Sequence, residues 1–423
     1  MPGRKTFILG LGVCLIGLPL IYWLVAPTGE ANARQFSQPL TTGAPPPITN
    51  LADLPESLSA NPETQLLRIF NEIEANRLDE ALRLTETLIR QHPNYRLAYL
   101  IKGDLLLARA RPIDSFGALK NAPADKVADL RAEAIVRLKA YRERPENGFV
   151  PRYLLQMRAD QRFAVIVDAQ RSRLYLYEND VANGGQPRFV ADYYVSQGKL
   201  GADKYAQGDK KTPIGVYHVT AKLPRKELSN LYGSGAFPIN YPNEWDRLQG
   251  RGGGGIWLHG TPADTFARPP RASDGCVVLS NQDLDAIAKN LQVGLTPVII
   301  SPSIEWLSLG DWAREREELN AAIDAWRRDW ESRDTERYLK HYSPRFKDLP
   351  AFAAHKKQVN AGKEWIKIGT ENLSVFRSPG KDEMAVVTFD QDYRSSNLNN
   401  RMKKRQYWRR ENGQWKIIYE GNA

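Results

Sequence analysis

Cysteine is nearly absent from this chain: 423 residues contain only Cys14 and Cys276. Two cysteines, one of them in an apolar segment, exclude a disulfide framework and leave Cys276 as a thiol available for chemistry. Charge of one sign is also lacking. The 59 Lys+Arg against 49 Asp+Glu leave a net charge of only +10, spread along the chain, which argues against a dedicated nucleic-acid surface. Wholesale disorder is excluded by 42% hydrophobic and 26% charged residues. At this length one core is too few, and two to three domains are expected.

Cys276 lies in Ser273-Asp274-Gly275-Cys276, and His259 stands 17 positions earlier in Ile256-Trp257-Leu258-His259-Gly260-Thr261-Pro262. A thiol is a useful nucleophile only as the thiolate, so it needs a nearby base or positive field. Histidine has the pKa for that work. Gly275 permits a sharp turn that aims backbone amides at a developing oxyanion. Ser280 and Asp283 read as a capping box that opens a helix directly after the cysteine. Taken alone, a single cysteine reads more readily as buried and structural, with the histidine structural too.

The surroundings decide between these readings. His259-Gly260-Thr261, a spacer, and Ser273-Asp274-Gly275-Cys276 resemble the active-site signature of the L,D-transpeptidase (YkuD-like) catalytic domain. A second block, Gly208-Asp209-Lys210-Lys211-Thr212-Pro213-Ile214-Gly215-Val216-Tyr217, resembles that family's G-x-x-x-T-P-x-G-x-Y element. The resemblance implies that Cys276 attacks the carbonyl of the third residue of a peptidoglycan tetrapeptide stem and releases D-alanine. His259 would serve as general base and acid, and the Gly275 and Cys276 amides as the oxyanion hole. A carbonyl near Ser273, or less securely the Ser273 side chain, would orient the histidine. No metal or cofactor is implied, and His218 reads as structural or groove-lining. Two residues depart from the family pattern. Val278 stands where arginine is usual, and Asp274 where histidine or arginine is common. Acyl-enzyme formation is unaffected, but the acceptor is left open. Cross-linking to a second stem or anchoring of an envelope protein ranks first, and hydrolysis by an L,D-carboxypeptidase second. Some relatives that pair this domain with an NTF2-like tail trim tetrapeptides. A non-catalytic envelope scaffold is the alternative from another class, and the intact His259–Cys276 motif argues against it.

The rest of the chain divides around this block into a multidomain α+β protein. Residues 7–26 are an apolar run behind Arg4 and Lys5, expected to be a membrane anchor within a 1–26 segment. The competing reading is a signal peptide cut near Ala31-Asn32-Ala33. Either places the catalytic part outside the cytoplasm: for an anchor, a single-pass inner-membrane protein facing the periplasm. Prolines through 27–60 read as an extended linker. Over 61–148 the apolar spacing is helical. It includes Leu66, Leu67, Phe70 and Ile73 on one face and a break at His92-Pro93-Asn94-Tyr95. The rhythm resembles about one and a half tetratricopeptide-type units. Such a region either packs as a bundle on its neighbour or binds an envelope protein partner.

Residues 149–303 form the catalytic domain, a mixed β-rich fold with strands near 163–168, 173–177, 189–196, 214–221 and 297–301. The glycine run 251–255 lacks the Lys-Ser/Thr ending of a phosphate loop and instead allows close approach before His259. Whether a lid within 225–250 covers the groove is left open by the sequence. Residues 304–423 open with amphipathic helix over 306–342 and continue as strands near 373–377, 384–393, 404–410 and 415–419, with Glu411-Asn412-Gly413-Gln414 as a hairpin turn, a pattern that resembles the NTF2-like cone fold. Arg401 to Arg410 alternates basic and apolar residues as a strand does, and no nucleic-acid partner is expected.

Overall fold

The computed structural model describes residues 61–118, 122–143, 145 and 148–423. The expected anchor or signal segment and the proline-rich linker lie outside them. Among the described residues no helix is long and apolar enough to cross a membrane. The chain separates into two compact units, Met1–Glu143 with Asp264–Pro269, and Arg144–Ala263 with Pro270–Ala423.

The first unit contains helices Pro62–Glu74, Leu78–Gln91, Arg96–Ala108 and Ala124–Arg142. Asn61 caps the first through its side chain, with Pro62 at the opening position where a missing N–H costs nothing. Leu66, Phe70 and Ile73 are buried together with Leu88, Leu97 and Ile101, so the three- and four-residue apolar spacing does become a shared core. Buried Asp104 accepts hydrogen bonds from the backbone N–H groups of Gly117 and Ala118, tying the loop after the third helix to its face.

Two main sheets organise the catalytic part of the second unit, beside the short parallel pair Arg271–Ser273 with Gln197–Gly198. The larger runs in the order Gln186–Tyr194, Arg173–Asp180, Phe163–Asp168, Pro297–Ser301, Gly215–His218. The 163–168 and 173–180 strands form the expected hairpin, and Pro297–Ser301 adds to it in parallel register, Val298 opposite Val165. The smaller sheet runs Val277–Val278, Trp257–His259, Gly235–Pro238, Leu223–Pro224. Leu258 and Val277 are fully buried in the core between the sheets, with Phe237, Val298 and Ile300.

The C-terminal part departs from expectation at its ends. Helix Leu309–Glu331 begins later than expected, because Trp306–Ser308 is a strand paired with Phe149–Pro151 and Ser308 caps the helix through Asp311 N–H. It ends at Glu331, two residues before Arg333, whose φ is 63°, and Asp334 caps the short Thr335–Leu339 helix. The sheet order is Gln414–Asn422, Leu398–Glu411, Met384–Ser395, Ile366–Ser378, Leu154–Gln156. Its fifth strand therefore comes from the start of the catalytic region. Trp326 and Trp330 of the long helix share a buried core with Phe389 and Trp408 of the sheet. Glu411 pairs with Gln414 across a turn in which Asn412 and Gly413 both have positive φ (49° and 78°), as the hairpin signal required. Arg405 pairs with Glu244 at 2.7 Å and Tyr407 stacks on Trp245 at 5.3 Å on one face, while Lys404 pairs with Glu420 at 2.7 Å and Trp408 is buried on the other, so both faces of this basic strand are used internally.

Candidate active site

His259 ends strand Trp257–His259 and Cys276 immediately precedes strand Val277–Val278. The two strands are parallel neighbours, with Leu258 opposite Val277 and His259 opposite Val278. Pleating fixes the rest of the argument. Leu258 and Val277 enter the core, so His259 and Val278 face the opposite side, and Cys276, two residues before Val278, shares it. The 16 residues between the histidine and the cysteine are thus closed by adjacent strands, and base and nucleophile project from one face.

The histidine is 3% exposed and the cysteine is half-exposed. His259 Nδ1 lies 2.7 Å from the Gly260 carbonyl oxygen, which makes Nδ1 the protonated nitrogen and directs Nε2 away as the acceptor. The edge of the ring meets Tyr232 at 5.1 Å and 75°, and Tyr232 also packs on Trp257. Tyr232 belongs to one of two short 3-10 turns, Arg225–Glu227 and Asn230–Tyr232, at the start of the 225–250 segment. The Cys276 thiol is 3.4 Å from the Gly255 carbonyl oxygen, so the end of the glycine run reaches the nucleophile directly.

The turn carrying Cys276 is fastened at three points. Ser273 Oγ donates to the Cys276 carbonyl at 2.6 Å and accepts from the Gly275 N–H at 3.1 Å. The Ser273 side chain thus shapes the nucleophile's turn, while the Gly260 carbonyl is the partner of the histidine's Nδ1. The Gly275 N–H, expected at an oxyanion, points to Ser273 in this state. Gly275 itself has φ +129°, and a Cβ there would fall 2.7 Å from the Lys211 carbonyl oxygen and 3.0 Å from Ile256. Only glycine fits.

The third fastening comes from the second sequence block. Thr212 is fully buried; its hydroxyl donates to the Gly275 carbonyl and accepts from the Gly198 N–H, both at 2.9 Å. Asp209 braces the approach to it, accepting from Lys204 Nζ at 2.7 Å and from the N–H groups of Tyr205, Ala206 and Lys211. These bonds hold its carboxyl well below the usual carboxylate range despite the opposing effect of burial. On the histidine side, Asn281 bridges two loops: its amide donates to the Thr261 carbonyl and its oxygen accepts from the Ser234 N–H, each at 2.8 Å. Neither Thr212 nor Asn281 carries a role legible from sequence, although Thr212 sits in a recognisable block and Asn281 begins the helix that Ser280 caps, as expected, through the Asp283 N–H.

His218 lies on the other sheet and lines a cavity of about 270 Å³ against Arg405 and Lys403. Burial first, and then Arg405, lower its pKa. Asp274 makes a surface ion pair with Lys199 at 3.3 Å. Among the described residues no cluster of His, Cys, Asp and Glu could hold a metal ion.

Residues 162–300 match the model of the L,D-transpeptidase catalytic domain, and residues 318–421 match that of the Cds6 C-terminal NTF2-like domain. No curated protein matches. Bd1075 of Bdellovibrio bacteriovorus is similar in solved structure, at 29% identity and TM-score 0.57, covering 65% of this chain and 98% of that one. The helical cell shape determining protein Pgp2 of Campylobacter jejuni is also similar, at 27% identity and TM-score 0.54, covering 64% of this chain and 95% of that one. The chain therefore carries a YkuD-type L,D-transpeptidase catalytic domain followed by an NTF2-like domain, and its general activity is that of a peptidoglycan-modifying enzyme.

Proposed function

We propose that the protein is an L,D-carboxypeptidase that trims tetrapeptide stems of peptidoglycan through a Cys276 acyl-enzyme. The observation that carries this reading is the tandem of catalytic and NTF2-like domains in one compact unit. The likeness to a helical cell shape determining protein spans 95% of that protein's chain. Val278 adds support: in the position where the family's arginine is usual, a fully apolar side chain, 2% exposed, sits opposite His259. Val278 itself carries no charge with which to bind an anionic acceptor stem, whereas water needs none.

The chemistry proceeds in two balanced steps. His259 Nε2 takes the thiol proton and the thiolate attacks the carbonyl carbon of the third stem residue. The C–S bond forms, the C–N bond to D-alanine breaks, and the imidazolium returns its proton to the departing amine. Water then enters. His259 takes its proton, the hydroxide attacks the thioester, and the C–S bond breaks to release tripeptide, the imidazolium returning its proton to the departing thiolate. The Cys276 N–H supplies the oxyanion contact, and the Gly275 N–H joins it if the Ser273 bond opens.

An amine acceptor in place of water would make the same intermediate a cross-link or an anchored protein, and the acyl-enzyme chemistry favours neither. Incubation with disaccharide-tetrapeptide, followed by mass analysis of products, separates the fates. Tripeptide with free D-alanine supports trimming, and a dimeric muropeptide overturns it. In a cell the expected place of work is the periplasmic face of the inner membrane.

A further inference from the structure

The helical unit contains six residues that belong by sequence to the catalytic domain, Asp264–Pro269. They lie midway between His259 and Cys276. The chain leaves the catalytic unit after Ala263, four residues past the base, and returns at Pro270, six before the nucleophile. Its two exits are pinned: the Ala263 N–H donates to Asn230 Oδ1 at 3.3 Å, and the Pro270 carbonyl accepts from the Gln197 N–H at 2.9 Å.

Between those pins the helical unit holds the segment by one aromatic anchor. The Phe266 ring stacks on Tyr95 at 4.2 Å with an interplanar angle of 29°, and His92 meets it at 5.1 Å. The Phe266 N–H also points at the Asn94 carbonyl at 3.4 Å, and the side chain packs against the helical core. The receiving side is buried and braced. Tyr95 is 1% exposed, and Arg137 stands over its ring at 5.7 Å. Arg137 is in turn held by Glu133 at 2.9 Å and by Glu63. Stacked aromatic pairs of this kind are among the stronger contacts a short peptide makes. The His92–Tyr95 break between two helices therefore works as a receptor for a short aromatic peptide, and the peptide is the chain's own.

We infer that the helical repeats take Asp264–Pro269 as an intramolecular ligand and that Phe266 is a positioning residue for the His259–Cys276 pair. The inference rests on the acyl-enzyme reading of that pair. A connection of this length between base and nucleophile carries a large ordering cost, and holding its midpoint lowers that cost before substrate arrives. The consequence is a catalytic pair whose competence depends on how this segment is held.

The test uses the full chain and Phe266→Ala, a change at a half-buried position, with Phe266→Tyr as the conservative control. The expected result is a fall of about tenfold or more in kcat with KM changed by less than about twofold. Alkylation of Cys276 by iodoacetamide should slow in parallel, and Phe266→Tyr should restore both. A Phe266→Ala protein that matches wild type in kcat and alkylation overturns the inference. Hydrogen exchange on the wild-type chain gives a readout that needs no variant. Protection across 264–269 is expected, and exchange at unstructured rates there would also overturn it. The two readings fail separately. A wild-type chain that forms no acyl adduct on Cys276 sinks the functional reading. An adduct formed equally well by Phe266→Ala sinks only the positioning role.

Discussion

Replacing Thr212 by valine tests how the cysteine turn is held. Valine matches threonine in shape, so no cavity opens, and the change isolates the hydroxyl. That hydroxyl serves two buried backbone groups, the Gly275 carbonyl and the Gly198 N–H, each at 2.9 Å. Leaving a buried polar group unsatisfied costs about 1–3 kcal/mol, so the pair amounts to roughly 2–6 kcal/mol. Relaxation of the turn would trade part of that loss for displacement of Cys276. A shift near ~1 Å at a reacting atom lowers turnover by about a hundredfold. Thr212→Ser retains both bonds and should lose only about 1 kcal/mol for the missing methyl, with turnover near wild type. Denaturant unfolding and the rate of Cys276 alkylation are the assays. Should Thr212→Val unfold within ~0.5 kcal/mol of wild type and alkylate at the same rate, the fastening role is wrong.

Gly275→Ala should abolish turnover, because the added Cβ meets the Lys211 carbonyl oxygen at 2.7 Å; unimpaired product formation would show that the turn is elastic. Asn281→Ala removes the bridge between the Thr261 carbonyl and the Ser234 N–H and should cost about 1–3 kcal/mol, read by thermal unfolding. In the C-terminal domain, Glu420 is buried, and burial acts to raise its pKa. Lys404, at 2.7 Å, and Lys356 outweigh that and lower it. A carboxylate whose folded pKa lies below its unfolded value stabilises the fold above that unfolded value, and the contribution is lost as pH falls through the folded pKa. Glu420→Gln should therefore cost about 3–5 kcal/mol near neutrality. The gap from wild type should close as pH drops below about 4.3; a gap that is constant with pH would contradict the linkage.

What the sequence made legible follows from the range of the interactions involved. His259, Gly275 and Cys276 stood out because their chemistry requires those residue types at close spacing. The Asn412-Gly413 turn and the Ser280 cap were equally plain, since each is settled within four residues. Thr212 belonged to a visible block, but its bonds to Gly275 and Gly198 bridge 63 and 14 positions, and no local pattern encodes such a pairing. Strand ends were set the same way. The 404–410 run extends to Leu398–Glu411 because Met384–Ser395 pairs along its full length. The strand Leu154–Gln156, which reads as an opening of the catalytic domain, joins the C-terminal sheet because Leu154 finds its partner at Phe376. Phe266 illustrates the same limit, since nothing in Thr-Phe-Ala-Arg-Pro announces that its partner is Tyr95.

The nucleophile is the centre of this account, and intact-mass measurement after brief exposure to disaccharide-tetrapeptide tests it most directly. The account predicts a species heavier by the substrate less D-alanine, located by peptide mapping on Cys276 and missing from Cys276→Ala, which should also release no D-alanine. An adduct on another residue, or D-alanine release by the Cys276→Ala chain at the wild-type rate, would contradict it.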